Sequence, residues 1–274
     1  MQHDRLGPIS TVETTYLGHP FVYPSDSLIG AAFIDKGKEW DAILRTIVPV
    51  LLPKEEPAIC EVGSNIGASL LQILAVKPHA RVLACEPSNR FRPFLERNLE
   101  LAGFDHVEVL PLLLGSKSGS MWLYNNASSA SVVSADYDGH EPRGRELIEM
   151  TTLDEVFRNR DPVHFIKIDT DGFDLEILRG AEDTLRRDKP IVYFELDVDL
   201  LSTPDTDLTW LQALGYQQLV CLEPEGGLIG MTDDPDQAIA WADAREYCDV
   251  LVCQMNSPSE ARLGRLLLRP ALSV

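Results

Sequence analysis

From Pro57 onward the chain alternates short β-branched or apolar runs with amphipathic stretches, and that alternation leaves few folds open. Runs that are apolar throughout are buried on both faces, so they pair in parallel and need a covering helix between neighbours. The candidate strands are 58–62, 81–85, 107–113, 163–168, 191–196, 218–222 and 249–254. Helical spacing or composition covers 67–76, 91–102, 175–186, 208–214 and 236–244. This pattern predicts an α/β, Rossmann-like sheet of seven strands with helices on both faces, one strand more than a minimal dinucleotide fold uses.

Residues 115–150 interrupt the pattern. They are rich in Ser, Asn, Gly and Asp, with short strand-like pieces at 121–124 and 131–134, and read as an insert that covers a site or forms a peripheral hairpin. Residues 1–36 are irregular, and 39–52 read as a helix ended before Pro53. The expected division is an N-terminal arm and helix packed on the core (1–52), a Rossmann-like domain (53–257) and a tail (258–274). In that tail Arg262, Arg265 and Arg269 stand among leucines, and a helix over 259–269 docked on the domain or on a second subunit is favoured over a membrane contact. A homodimer is a reasonable expectation.

A formal charge of −19 would repel phosphate backbones and anionic lipid, so nucleic acid and membrane surfaces are expected to be poor partners. Residues 1–8 lack the apolar core of a signal peptide, and no stretch approaches the roughly 18 apolar residues of a membrane span. The expectation is a soluble cytoplasmic protein. Cys60, Cys85, Cys221, Cys248 and Cys253 mostly lie in apolar runs, with neither CxxC spacing nor a histidine pattern for zinc, and are expected to be buried free thiols.

The strongest local signal is the apolar run Ile59-Cys60-Glu61-Val62 entering Gly63-Ser64-Asn65-Ile66-Gly67 and then a helix. Glycine at 63 and 67 allows a turn in which a ligand lies against the main chain, at the carboxyl edge of the sheet. Glu86 ends the second strand, where a carboxylate can accept hydrogen bonds from ribose hydroxyls, and Pro87-Ser88 turn the chain into the next helix with Ser88 as a candidate N-cap. A dinucleotide needs close backbone approach to its pyrophosphate, and this turn lacks the middle glycine that supplies it. S-adenosylmethionine has no phosphate, and its sulfonium and amino groups are cationic, which suits Glu61 and an acidic surrounding. The cofactor-binding set is therefore Glu61, Gly63, Ser64, Asn65, Gly67, Glu86, Pro87 and Ser88.

A second constellation ends the fourth strand, in Lys167-Ile168-Asp169-Thr170-Asp171-Gly172, with Glu195 and Asp197 following on the fifth. With these residues the sequence resembles the FkbM-type methyltransferases. Glu61-Val62-Gly63-Ser64-Asn65-Ile66-Gly67 is similar to the family's Asp-Val-Gly-Ala-Asn-x-Gly, and Glu86-Pro87, Thr152-Leu153-Asp154, Lys167-Ile168-Asp169-x-Asp-Gly and Leu178-Arg179-Gly180-Ala181 extend the match. Asp26, Gly37 and Glu39 add weaker agreement. The resemblance implies a class I methyltransferase fold, mostly parallel with an antiparallel last strand, that commonly uses S-adenosylmethionine to O-methylate sugars and natural products. Asp171 and Asp174 stand where the family more often has Glu, which puts the substrate in doubt more than the cofactor.

Methyl transfer is an in-line displacement, so catalysis can come largely from alignment of acceptor and methyl. Asp169 and Asp171 are the candidates to orient or deprotonate a small hydroxylated acceptor, with Glu195 a further candidate. A divalent cation held by Asp169, Asp171 or Asp197 is an alternative the residues allow but do not favour, so no metal site is assigned. Lys167 shares the face of Asp169 and is read as an ion-pair partner at least as readily as a catalytic group. Asn125, Asn126, Ser128 and Ser129 of the insert, Glu39 and Trp40 ahead of the core, and His19 and His140 are further candidates to cover the site. The rival readings are a non-catalytic binding protein of the same fold and a less favoured NAD-dependent oxidoreductase.

Overall fold

The computed structural model describes residues 9–27, 30, 34, 37, 39–132, 144–199, 207–223, 226–245 and 247–267. Its first elements are an antiparallel hairpin, β1 (Thr11–Tyr16) and β2 (His19–Pro24), and a helix, α1 (Leu44–Leu51). Then come β3 (Ala58–Val62), α2 (Ala68–Val76), β4 (Arg81–Cys85), α3 (Arg92–Ala102) and β5 (Glu108–Leu110). β6 (Leu113–Leu114) precedes the expected insert, within which β7 (Gly119–Asn125) and β8 (Ala130–Ser131) lie and β9 (Gly144–Thr151) begins. The second half runs α4 (Leu153–Phe157), β10 (Phe165–Ile168), α5 (Asp174–Arg179), α6 (Glu182–Asp188), β11 (Ile191–Asp197) and α7 (Thr209–Ala213). It closes with β12 (Leu219–Leu222), β13 (Leu228–Thr232), α8 (Pro235–Asp243), β14 (Tyr247–Val252) and α9 (Pro258–Leu267).

The main sheet has the order β13-β12-β14-β11-β10-β3-β4-β5. From β5 to β11 the pairs are parallel, and β14 lies antiparallel between β11 and β12, as the resemblance implies for the last strand. Neighbouring residues of one strand feed opposite faces: Ile59 and Phe165 enter the core under α1, α2 and α3, while Cys60 and Ile166 enter the core under α4 to α8. The helices therefore cover both faces, in the doubly wound arrangement expected.

Five expectations are corrected. Among the described residues the sheet has eight strands, because β13 adds an antiparallel edge; its central Gly230 and half-exposed neighbours lack the signature of a buried strand. The third expected strand splits at Pro111, where β5 ends in the main sheet and Leu113–Leu114 leave to pair with β9. Residues within the irregular 1–36 form the β1–β2 hairpin, turned by Leu17 and Gly18 at φ +49° and +82°. The expected helix at 39–52 begins only at Leu44, since Asp41 holds φ +52°, and the one expected at 175–186 breaks into α5 and α6 around Gly180. Residues 133–134 and His140 lie outside the described residues.

The hairpin and the segment after it are tied down by buried polar side chains of the core. Asn98 donates through Nδ2 to Val22 O (2.9 Å) and Ile66 O (2.8 Å) and accepts from Val22 N at 2.7 Å. Gln72 Nε2 donates to Tyr16 OH (2.7 Å) and Trp40 O (2.9 Å), and Arg90 pairs with Asp26 at 2.5 Å. The arm is thus fixed to α2 and α3 rather than merely lying on them.

All five cysteines are free and buried, and no helix among the described residues is long and apolar enough to cross a membrane. Helix α9 packs against α1 through Leu263, which is 1% exposed. Leu263→Ala is expected to lower stability by about 2–4 kcal/mol. Denaturant unfolding measures this, and a loss near zero would mean that α9 is not docked in solution.

Candidate active site

β3 ends at Val62, and Gly63 follows at φ +82° with its missing side chain directed at the next strand. A Cβ there would lie 1.8 Å from Asp169 O. The Gly63 and Ser64 amides donate to Cys85 O at 3.0 and 3.2 Å, which locks the turn to the end of β4. Asn65, at φ +48°, donates its main-chain N–H to Glu86 Oε2 and its Nδ2 to Ser128 O, both at 2.8 Å. One residue therefore joins the glycine turn, the acid that ends β4 and the insert.

Glu86 also accepts from Ser88 N at 2.8 Å through Oε1. Burial pushes its carboxyl up to about 7, against the opposing pull of the Ser88 and Asn65 amides. Across the carboxyl edge, Asp169 accepts from Lys167 Nζ at 2.9 Å, and the same ammonium pairs with Asp41 Oδ2 of the arm at 3.1 Å. Glu195 Oε2 is buried without a hydrogen-bond partner among the described residues. Burial, then the nearby Asp169, Asp174, Asp171 and Asp249, raise that carboxyl well above the usual carboxylate range.

These groups surround a cavity of about 370 Å³ at the carboxyl edge of the sheet, of the size of a small-molecule site. One wall is the turn, with Gly63, Ser64, Asn65, Glu86 and Pro87. Asp169, Asp171, Glu195 and Tyr247 form the floor toward β10, β11 and β14, and Trp40 of the arm stands beside them. The insert supplies Leu123, Asn126, Ser128 and Ser129 from the remaining side. Among the described residues no basic side chain lines the cavity.

Of the residues singled out from the sequence, Glu61, Gly67 and Ser88 support the cavity without lining it. Glu61 is buried behind the turn, accepts from Ser69 Oγ at 2.8 Å and stands in register with Lys167. Gly67, at φ +89°, precedes α2, with Leu95 where a Cβ would point. Ser88 Oγ accepts from Arg90 N at 3.0 Å at the start of α3 and donates to Asn125 Oδ1 at 2.6 Å, so both Ser88 and Asn125 sit behind the wall. Asp197 accepts from Asp199 N, Glu39 pairs with Arg45, and His19 packs on Phe104; none of the three lines the cavity. Among the described residues no group of three or more His, Cys, Asp or Glu is arranged to hold a metal ion.

Three contributors went unrecognised as site residues. Asp174 accepts from Thr170 N (3.1 Å), Thr170 Oγ1 (2.7 Å) and Glu195 N (3.2 Å), and burial raises it to about 7. It braces the loop carrying Asp171, and its only sequence signal was its departure from the family pattern. Asp41 and Tyr247 carry no motif at all; the fold alone brings them to the edge.

An open sheet of this order, with its cavity outside the strand carboxyl ends and one antiparallel strand set between two parallel ones, defines the class I methyltransferase fold. Residues 61–217, more than half of the chain, match the methyltransferase FkbM domain, and the chain belongs to that family. Methyltransferase sdnD of Sordaria araneosa is 25% identical over a 158-position alignment that covers 46% of this chain and 61% of that relative, so the match spans less than two thirds of its length. A methyltransferase FkbM from Methylobacillus flagellatus KT superimposes with a TM-score of 0.45 at 20% identity, over 72% of this chain and 44% of that one. For an O-methyltransferase from Bacillus cereus in complex with SAH the TM-score is 0.44 at 15% identity, over 78% and 80% of the respective chains.

Proposed function

We propose that the chain transfers a methyl group from S-adenosylmethionine to a hydroxyl of a small acceptor such as a sugar or natural product. The observation that carries this reading is the chemistry of the cavity wall, where Glu86, Asp169, Asp171 and Glu195 face a space with no basic side chain among the described lining residues. Such a wall favours a cation and disfavours a pyrophosphate. The residues also fit the cofactor through their unmet needs: Asn65 Oδ1, Asn126 Oδ1 and Glu195 Oε2 are buried oxygens with no hydrogen-bond partner among the described residues, and the amino and hydroxyl groups of S-adenosylmethionine are donors.

When bound, S-adenosylmethionine supplies an electrophilic methyl group on sulfur. Glu86 accepts from ribose hydroxyls while the Asn65 and Ser88 amides hold its carboxylate in place. The bare backbone at Gly63 lets a ligand lie against the turn. Asp169 and Asp171 orient the acceptor hydroxyl and take its proton as it reacts. Glu195, whose carboxyl burial and its acidic neighbours raise well above the usual carboxylate range, is a third carboxyl group at the acceptor side of the cavity. Five unpaired thiols suit a reducing compartment, and the cytoplasm is the location this reading assigns.

Calorimetric titration with S-adenosylmethionine and, separately, with NAD tests the reading. The expected result is saturable S-adenosylmethionine binding, weakened at least about tenfold in Glu86→Ala, and no heat with NAD. A protein that binds NAD, or neither ligand, would contradict the reading.

A further inference from the structure

Lys167 is the only cation paired with the acidic edge of the cavity among the described ion pairs, and its side chain is 0% exposed. It does not line the cavity. Its two ion-pair partners come from distant parts of the fold: Asp169 from the end of its own strand, and Asp41 from the arm that crosses α2. The residue before Asp41 is Trp40, which lines the cavity and whose main-chain O is held by Gln72 Nε2 at 2.9 Å. Two adjacent arm residues are thus anchored to two different core elements.

We propose that Lys167 and Asp41 form a clamp that seats the arm on the strand edge, placing Trp40 against the cofactor. Lys167 is a positioning residue: it holds Asp169 on the cavity side and the arm on the other. Burial gives the clamp its leverage, because a buried ammonium that loses one carboxylate partner regains no water in exchange. Burial opposes the charge on Lys167, but Asp169, Asp41 and Glu61 outweigh it and raise its pKa well above the ordinary lysine value. The clamp rests on the S-adenosylmethionine reading only in naming what Trp40 touches.

The test uses Asp41→Asn in the full chain. Asparagine tolerates the left-handed backbone at this position and nearly preserves the shape, so the change removes charge and little else. The expected result is at least about tenfold faster amide exchange over 39–44, unchanged exchange over 58–76, and at least about tenfold weaker S-adenosylmethionine binding. Trp40→Ala is expected to weaken binding while leaving exchange over 39–44 within about twofold. Wild-type exchange in Asp41→Asn overturns the clamp, as does faster exchange with unaltered affinity; full affinity in Trp40→Ala overturns the wall. If the wild-type protein bound no S-adenosylmethionine, the functional reading would fall, and exchange over 39–44 would still decide the clamp.

Discussion

Gly63→Ala is expected to give a protein that shows no measurable S-adenosylmethionine binding and is less stable by about 2–5 kcal/mol. Two costs add. Alanine at φ +82° is strained by about 1–3 kcal/mol, and its Cβ would stand 1.8 Å from Asp169 O, a contact the backbone must move to relieve. That movement is resisted because Asp169 N donates to Val62 O at 3.0 Å, coupling the two strand ends on either side of the turn. Any displacement of Asp169 also disturbs its bond to Lys167 and the floor of the cavity. Denaturant unfolding and calorimetry on the variant measure both effects, and wild-type stability with wild-type affinity would show that β3 and β10 do not approach this closely.

The protein without cofactor is expected to become less stable as pH rises through neutrality, while its affinity for cofactor increases. Burial raises Glu86 from 4.5 and Asp174 from 3.8, each to about 7. Because the folded values lie above the unfolded ones, the folded state holds more protons in the interval between them. The stability so contributed is complete below the unfolded pKa and disappears as pH rises through about 7, on the order of 3 kcal/mol for each group. Glu195 and Asp249 are shifted in the same direction, chiefly by burial. Glu86 serves ribose hydroxyls as a carboxylate, so below neutrality affinity should fall toward tenfold per pH unit. Melting curves and titrations between about pH 5.5 and 8.5 test this, with Glu86→Gln expected to flatten the affinity profile and part of the stability profile. A wild-type affinity independent of pH would refute the role given to Glu86.

How much of this was legible beforehand depended on whether a residue's role is set by its own strand or by a neighbour. β3 and β4 begin and end where their patterns said, because nearly every residue in them is buried and a break in apolar character marks each end. Glu86, Asp169, Asp171 and Glu195 were placed at one edge for the same reason: they end or closely follow parallel strands, and parallel strands end together. Which way a side chain turns was not legible. Glu61 faces Lys167 across the β3–β10 ladder instead of the cavity, a fact of register between distant segments. β1 alternates exposed Thr and Glu with half-buried residues and β2 carries Pro20 and Pro24, a weak signal whose meaning comes from the bonds of Asn98 to Val22. Asp41 is silent in sequence, since neither its backbone angle nor its partner can be read from its neighbours.

The anchoring of the arm bears on the order in which the molecule assembles. Val22 meets Asn98 across 76 residues and Tyr16 meets Gln72 across 56, while Asp41 waits for a lysine in the second half of the sheet. Contacts so distant along the chain raise the contact order, and the loop-closure entropy must be met before they contribute, so they are expected to form late. The contacts to Asn98 and Gln72 need only α3 and α2, whereas the Asp41–Lys167 pair waits until β10 is in place. The side of the cavity that Trp40 supplies is therefore completed only when two halves of the chain have met, late in folding rather than early.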